Sequence, residues 1–430
     1  MVQRRTFLKA LAGGVAGLSA VPALAGLKHK PLRLGKGGGL KKLVVLFQRG
    51  GNDGLNTLIP VSSAEYNHYR SLRPTLGFTS AQLSNVPGSS FFRMHPALDP
   101  LLPAMNAGHF SFIHAVAYPG SDRSHFESQS YYETAIPGNG ISAGWLNRFL
   151  ANTTGPGSIR GLHIGNNIPQ MASGQVPVPV STNFGRLTMA VDNELEGVED
   201  EAMRQNIRAM YNFTPTAGNE AVYNTGQRIF DMLDSFSTRD REDYQPENGA
   251  QYPDTGLGDR VMHAAQMLKD DDFLGVEVVT IDQGGYDTHA AQINPANLTD
   301  GETRHQELLS ELAQSMAAFY ADMGPVRMQD VMFLVVTEFG RRAYQNDSNG
   351  TDHGTGSLAM VMGGGLNGTH IGGDDMWPTL GELHRNHDLG WTTDFRDIYW
   401  EIMRNHMGVN DTTLDTIIPG HTFNSVGIIT

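Results

Sequence analysis

The stretch that decides the fold is LVVLF at residues 43–47, which runs directly into QRGGNDG at residues 48–54. A short apolar run without polar alternation is typical of a strand that is buried on both faces of a sheet. The abrupt change to Gly, Asn and Asp predicts a turn where that strand ends. The sequence therefore predicts a buried strand that delivers polar side chains to one edge of a sheet.

Apolar runs of the same kind recur along the chain and alternate with helical patterns. The runs are Phe110–Ala117, Val276–Ile281, Val331–Thr337 and Leu358–Met362. The helical patterns cover Pro96–Ala107, Gly258–Asp270, Glu302–Met323 and Thr393–Met407, the last with Thr393 as its cap and Asp394 in its first turn. This alternation predicts an α/β domain with a doubly wound, mostly parallel sheet.

We interpret residues 43–430 as one such domain with an insertion at about residues 151–251. The insertion is rich in Asn, Gly, Pro and Thr and has weak strand signals. It is either a partly helical cap over the site or a plain surface excursion.

The N-terminus predicts export. Arg4 and Arg5 precede Phe7-Leu8-Lys9, an apolar run and the small-residue sequence Ala23-Leu24-Ala25. This order is typical of a twin-arginine signal peptide over residues 1–25, and it predicts contact with the twin-arginine export machinery and a periplasmic or extracellular location. Residues 26–42 are basic and Gly-rich, and we interpret them as a flexible lead-in.

Composition narrows the function classes. The 430 residues carry a net charge of −14, which removes the electrostatic basis for a nucleic-acid partner. The absence of cysteine excludes disulfides, thiol nucleophiles and thiolate metal sites. The N-terminal apolar run is too short and interrupted to span a bilayer, so no transmembrane span is expected in the mature chain.

Acidic and histidine residues follow four of the predicted strands, and a fifth segment supplies Asp352-His353 on the loop before Leu358–Met362. Ligands bind open α/β sheets at the carboxyl ends of the strands, so these side chains are expected to meet there. Mixed carboxylate and imidazole ligands predict a divalent metal, with Zn, Mn, Fe or Ca as the candidates. The candidate ligands are Asp53, Asp287, His289, Glu338, Asp352 and His353. For each residue alone, a turn cap, a loop brace or a structural ion pair is the alternative.

Three further residues are candidates for catalysis. Ser124 lies at the start of a predicted helix, where it is a nucleophile or a simple helix cap in a capping box with Glu127. His125 is the neighbouring base. Arg341 binds a substrate oxyanion or pairs with surface acids.

Six strings in this order resemble the family catalogued as domain of unknown function 1501. They are Leu46–Thr57, Arg123–Glu127, Gly285–His289, Thr337–Arg341, Gly350–Gly356 and Thr393–Asp397. The resemblance covers nearly the whole mature chain. It implies a twin-arginine signal, the fold of the alkaline phosphatase and sulfatase superfamily, and metal-assisted hydrolysis of a phosphate or sulfate ester.

The superfamily pattern that the resemblance implies transfers in part. Asp53 matches its first-strand ligand, Asp287 and His289 resemble a later ligand pair for which Asp282 competes, and His353 resembles the last histidine ligand. Phe339 stands where a histidine is usual, and the sulfatase nucleophile motif is absent. The first hypothesis is therefore a metal-dependent hydrolase acting on a small anionic ester. The alternative is a ligand-binding or cell-surface assembly protein without turnover.

Overall fold

The predicted strand at residues 43–47 becomes β1 (Lys42–Arg49), an interior strand of the main sheet in the computed structural model. The structure describes residues 39–138, 143–157, 159–183, 198–216, 218–237, 244–269, 274–293, 304–371 and 376–429. The predicted signal peptide and residues 26–38 of the lead-in lie outside these ranges. All described elements belong to the unit Arg33–Thr430.

The main sheet has the strand order β11-β5-β10-β9-β1-β8-β6-β7, with β12 paired to β5, and β2, β4 and β3 form a small antiparallel sheet. The remaining strands are β2 (Leu58–Pro60), β3 (Ser84–Asn85), β4 (Phe92–Met94), β5 (Phe110–Ala117), β6 (Gly161–Ile164), β7 (Val180–Ser181), β8 (Val278–Gly284), β9 (Val331–Thr337), β10 (Ser357–Gly363), β11 (His370–Ile371) and β12 (Thr393–Asp394). The predicted mostly parallel α/β sheet is confirmed.

One predicted strand differs in direction. β10 runs antiparallel to both of its neighbours, β9 and β5, whereas β1 is parallel to β8 and β9. Phe47 of β1 is level with Asp282 of β8 and Val336 of β9, and Ser357 at the start of β10 faces Val116 of β5. The loop that enters β10 therefore lies at the same sheet edge as the loops that leave β1, β5, β8 and β9.

The helices cover both faces of this sheet. They are α1 (Gly54–Thr57), α2 (Ser63–Leu72), α3 (Leu102–Asn106), α4 (His125–Thr134), α5 (Trp145–Asn152), α6 (Val198–Met210), α7 (Glu220–Ser237), α8 (Gly256–Lys269), α9 (Arg304–Arg327), α10 (Phe395–Glu401) and α11 (Asp411–Ile417), with 3-10 turns at Ser80–Gln82, Pro96–Leu101 and Gln170–Ala172 and a π-turn at Ile402–His406. Asp394, rather than the predicted Thr393, caps α10 by accepting a hydrogen bond from the Arg396 backbone N–H at 2.9 Å. Within the described ranges, no helix is both long and apolar enough to cross a bilayer.

The side chains of β1 explain the two-sided packing. Val44 and Leu46 join one buried cluster, with residues of α8 and α9, whereas Leu43, Val45 and Phe47 join another, with residues of α5 and α10. This alternation follows from the two-residue repeat of a strand. Full burial of such a side chain stabilises the fold by about 1.5–3 kcal/mol, which fixes the position of the loop that follows β1.

The range 151–251 is not wholly an excursion from the sheet. Gly161–Ile164 pairs in parallel with β8, and Val180–Ser181 extends the same sheet by one more strand. The described helices α6 and α7 also lie in this range.

Candidate metal centre

Asp287, just beyond β8, has three imidazoles around its carboxylate. His353 Nε2 lies 2.9 Å and His289 Nε2 lies 3.0 Å from Asp287 Oδ1. His125 Nε2 lies 3.4 Å from the other oxygen, Oδ2. Asp287, His125 and His353 each offer a ligand atom within 4.8 Å of the others, which is close enough to share one metal ion.

Two glycines allow the loop after β1 to approach this carboxylate. Gly50 and Gly51 have φ values of +120° and +81°, in the region that favours glycine. A Cβ atom on Gly50 would collide with the backbone N of Asp287, and one on Gly51 would lie 2.5 Å from the Phe339 ring. The GG of the opening stretch is therefore required by the close packing of the site.

The Nδ1 atom of each imidazole faces a hydrogen-bond acceptor. His125 Nδ1 lies 2.9 Å from Glu338 Oε1, and His289 Nδ1 lies 3.1 Å from Asp352 Oδ1. His353 Nδ1 lies 2.9 Å from the backbone carbonyl oxygen of Arg123. Because these partners only accept, each ring carries a proton on Nδ1, and in the neutral form of the ring the lone pair is then on Nε2.

With neutral rings, the Nε2 atoms of the three imidazoles are therefore acceptors that face another acceptor, the Asp287 carboxylate. The Nε2 atoms of His289 and His353 are only 3.0 Å apart, and His125 Nε2 is buried without a hydrogen-bond partner among the described residues. Second protons would relieve this repulsion only by making neighbouring rings cationic. A single divalent cation among His125, Asp287 and His353 would relieve it without a further proton, so this donor set fits a metal ion.

The electrostatics keep the Asp287 carboxylate ionised. Burial tends to raise the pKa of Asp287, but its contacts with His353 and Arg341 outweigh burial, so that the pKa lies well below its usual range. Burial lowers the pKa of His353, although its contact with Asp287 opposes this. The hydrogen bond to Glu338 raises the pKa of His125 against the effect of burial. The His125 ring therefore takes up a second proton more readily than the His353 ring.

Glu338 and Asp352 lie behind the imidazoles instead of beside the predicted metal position. Glu338 is fully buried and also accepts from the Gly50 backbone N–H at 2.8 Å and the Gln129 side chain at 2.9 Å. Carboxylates that hold the far nitrogen of a histidine orient the ring and increase its basicity. The structure thus gives both predicted ligands an orienting position.

Arg341 is corrected from a substrate-binding to a positioning residue. Its side chain is fully buried, and it donates to the carbonyl oxygens of residues 50, 51, 286 and 351 and to Asp287 Oδ1 at 2.7 Å. A guanidinium engaged in this way cannot reach a substrate. Instead it ties together the loops that carry the cluster.

Asp53 is likewise corrected. Its carboxylate is buried and forms a two-point ion pair with Arg73, at 2.6 and 2.9 Å, and it accepts from Gln292. Burial tends to raise the pKa of Asp53, but the effect of the Arg73 guanidinium is larger and opposite. The pKa is therefore lowered and the carboxylate stays ionised. The protein itself supplies the counter-charge, and Asp53 does not join the imidazole cluster. Asp282, the competing candidate, pairs with Arg49 at 3.0 Å.

The segment before α4 contributes in two ways. Ser124 occupies the cap position of α4, but its side chain forms no cap hydrogen bond, so the predicted capping box is absent. Arg123, which was not among the predicted site residues, has a side chain that is 34% exposed. Its Nη1 atom lies 4.0 Å from Asp388 Oδ2 and has no hydrogen-bond partner among the described residues. Its only sequence signal is its place directly before Ser124-His125.

Phe339 forms an apolar wall of the cluster. Its buried ring lies 4.9 Å from the His125 ring and 4.6 Å from the His353 ring, measured between centroids. A phenyl ring offers no ligand atom, so this wall limits the donors to one side.

The family model described as "Protein of unknown function (DUF1501)" matches residues 114–417, which is more than half of the chain. This confirms the family that the motifs predicted. No curated protein sequence matches the chain.

Several solved structures are similar at low identity. A mutant of TAB5 alkaline phosphatase with Mg bound is 12% identical, with a TM-score of 0.30, and the match covers 75% of this chain and 91% of that one. The C-terminal periplasmic domain of EcEptC from Escherichia coli, in complex with Zn, is 10% identical, with a TM-score of 0.28 and coverage of 76% and 74%. The phosphonate monoester hydrolase of Agrobacterium radiobacter is 9% identical, with a TM-score of 0.32 and coverage of 90% and 79%.

Proposed function

The chain belongs to the DUF1501 family, and we propose that it is an exported metal-dependent hydrolase of phosphate or sulfate esters. One observation carries the proposal: the Nε2 atoms of three imidazoles converge on one ionised carboxylate at the carboxyl edge of the sheet. A divalent cation among these atoms would compensate the carboxylate and accept the Nε2 lone pairs of neutral rings.

The ligands of this centre would be His125, Asp287, His289 and His353. Nitrogen-rich donor sets suit Zn, Mn or Fe, whereas Ca takes oxygen ligands, so we do not propose Ca for this site. When bound, such an ion supplies Lewis acidity and a water of lowered pKa. Its identity and number are to be measured.

The side chains around the cluster support an anionic substrate. Arg123 contacts the cluster through its backbone carbonyl, which accepts from His353 Nδ1, and its side chain is partly exposed. A guanidinium binds the paired oxygens of a phosphate or sulfate group. Ser124 follows it at the N-terminus of α4, whose backbone N–H groups favour negative charge. Ser124 stays the candidate nucleophile.

Export rests on the N-terminal sequence. The twin arginines and the apolar run at residues 1–25 support a periplasmic or extracellular location reached through the twin-arginine machinery. That route carries folded proteins, so the metal would be loaded before export.

The test combines metal analysis with an ester screen. We expect purified protein loaded with Zn, Mn or Fe to retain metal after desalting and to hydrolyse aryl phosphate or aryl sulfate monoesters. Asp287→Ala and His353→Ala are expected to lose both the metal and the turnover. Asp282→Asn is the matched control, because Asp282 belongs to β8 but pairs with Arg49 outside the cluster.

Two outcomes would count against the proposal. Wild-type protein that retains no metal, with turnover unchanged in Asp287→Ala, would refute the metal centre. Stoichiometric metal without turnover on any ester would favour the alternative, a ligand-binding or cell-surface assembly protein.

A further inference from the structure

Gln292 is a fully buried amide that lies between the Asp53–Arg73 ion pair and the cluster. It is not among the proposed ligands, and none of its side-chain hydrogen bonds reaches His125, Asp287, His289 or His353. Its three side-chain hydrogen bonds reach Asp53, Thr288 and Thr351.

The ion pair determines which way this amide points. The ionised Asp53 carboxylate only accepts, so it must receive the Gln292 NH₂ group. The amide oxygen is then turned the other way, where it accepts from the Thr351 hydroxyl at 2.6 Å and the Thr288 hydroxyl at 3.0 Å.

Those two threonines belong to the two loops that carry most of the proposed ligands. Thr288 lies between Asp287 and His289, and Thr351 precedes Asp352-His353. The loops also contact each other directly, since the Thr351 backbone N–H donates to the Thr288 carbonyl oxygen at 3.1 Å. One amide oxygen therefore joins both loops at the residues next to the cluster.

We propose that Gln292 is a positioning residue, which uses the Asp53–Arg73 ion pair as a fixed anchor to hold the loops of Asp287 and His353 in register for the metal. The inference rests on the proposed metal centre. It also assigns a purpose to Asp53: the residue acts on the site through Gln292 and not as a ligand. Loss of an outer partner of this kind weakens metal binding by about 10- to 100-fold.

The test is the metal dissociation constant of Gln292→Met, measured by chelator competition on the full chain with Zn. We expect the constant to rise about 10- to 100-fold, because the two loops lose their common partner. The double variant Thr288→Val/Thr351→Val removes the same two hydrogen bonds and is expected to weaken Zn binding similarly. Adding Gln292→Met to it should have little further effect, since residues of one network are not additive. The double variant also decides the question if Gln292→Met does not fold.

Asn147→Leu is the matched control. Asn147 is an equally buried amide with three hydrogen bonds, to residues 172 and 176, away from the cluster. It should lower the melting temperature without changing Zn affinity. Wild-type Zn affinity in Gln292→Met or the double variant would overturn the inference.

A metal-free measurement separates this inference from the proposed function. Hydrogen exchange of the Thr351 amide in metal-free protein should quicken in Gln292→Met and stay unchanged in Asn147→Leu. If wild-type protein binds no metal, the metal centre fails and exchange alone decides whether Gln292 joins the loops. Exchange that is equal in Gln292→Met and wild type would then refute it.

Discussion

Asp53 and Asp287 follow neighbouring parallel strands, β1 and β8, and reach the same edge of the sheet, yet their surroundings are opposite. The Asp53 side chain is 1% exposed and its two oxygens face the guanidinium of Arg73. The Asp287 side chain is 47% exposed, and around it stand imidazoles whose Nδ1 atoms are already engaged.

The difference separates a structural carboxylate from a ligand. A buried charge is tolerated when it is paired and hydrogen-bonded, and Arg73 meets that condition for Asp53. Asp287 has Arg341 on one side only, and the Nε2 atoms of His289 and His353 lie 3.0 Å apart beside it. One carboxylate therefore has its cation within the fold, whereas we propose that the other binds a cation from solution.

The largest effect is expected from breaking the internal pair. Arg73→Met leaves Asp53 charged, buried and without its partner, which costs about 3–5 kcal/mol of the free energy of unfolding. Urea denaturation of metal-free protein measures this loss. At saturating Zn, the folded Arg73→Met variant should still bind as many Zn ions per chain as the wild type, because Arg73 contacts no proposed ligand.

Arg208→Met provides the contrast. Arg208 pairs with Asp234 at the surface, where both side chains are exposed, and such pairs contribute about 0–1 kcal/mol. If Arg73→Met proved as mild as Arg208→Met, Asp53 would not depend on an internal cation and the comparison would fail.

A smaller effect is expected from the partner behind His125. Glu338→Gln keeps the size of the side chain but removes the charge that makes the ring a better donor. We expect the Zn dissociation constant to rise about 10- to 100-fold, which corresponds to about 1.4–2.7 kcal/mol. Glu277→Gln, in a buried pair with Arg160, is the control and should leave Zn affinity unchanged. Equal affinities in the two variants would show that Glu338 does not orient His125.

The sequence was sufficient for the strands, for the family and for the edge at which polar residues gather. Apolar runs such as Val331–Thr337 identify strands because burial on both faces demands them. Asp287 and His289, which come after β8, lie at the edge that the strand-end rule indicates. His353 lies at the same edge because β10 runs antiparallel, which brings the loop before that strand there.

Roles within the site could not be predicted from the sequence. Asp53 resembles a ligand until Arg73, at the end of α2, is seen against it. Arg341 has the residue type of an oxyanion binder, and only its burial among carbonyl oxygens shows otherwise. The partner of each charged side chain is determined by the packing of the folded chain, whereas a sequence motif gives only the residue types.

The last prediction concerns pH, and it distinguishes the two regions in metal-free protein. His305, whose Nε2 lies 3.2 Å from Asn52 Oδ1 beside Asp53, has its pKa lowered to about 4 by burial, although Asp53 opposes this. Between about pH 6.5 and pH 4 the unfolded chain binds a proton that the folded chain does not. Stability should therefore fall as the pH falls through this window, by up to about 1.4 kcal/mol per pH unit from this residue, and the contribution should level off below about pH 4. His305→Asn is expected to flatten the dependence by that amount in urea titrations at pH 6.5, 5.5 and 4.5. A slope identical to that of the wild type would mean that His305 is protonated in the folded protein, and that the Asp53 region draws on a second internal cation besides Arg73.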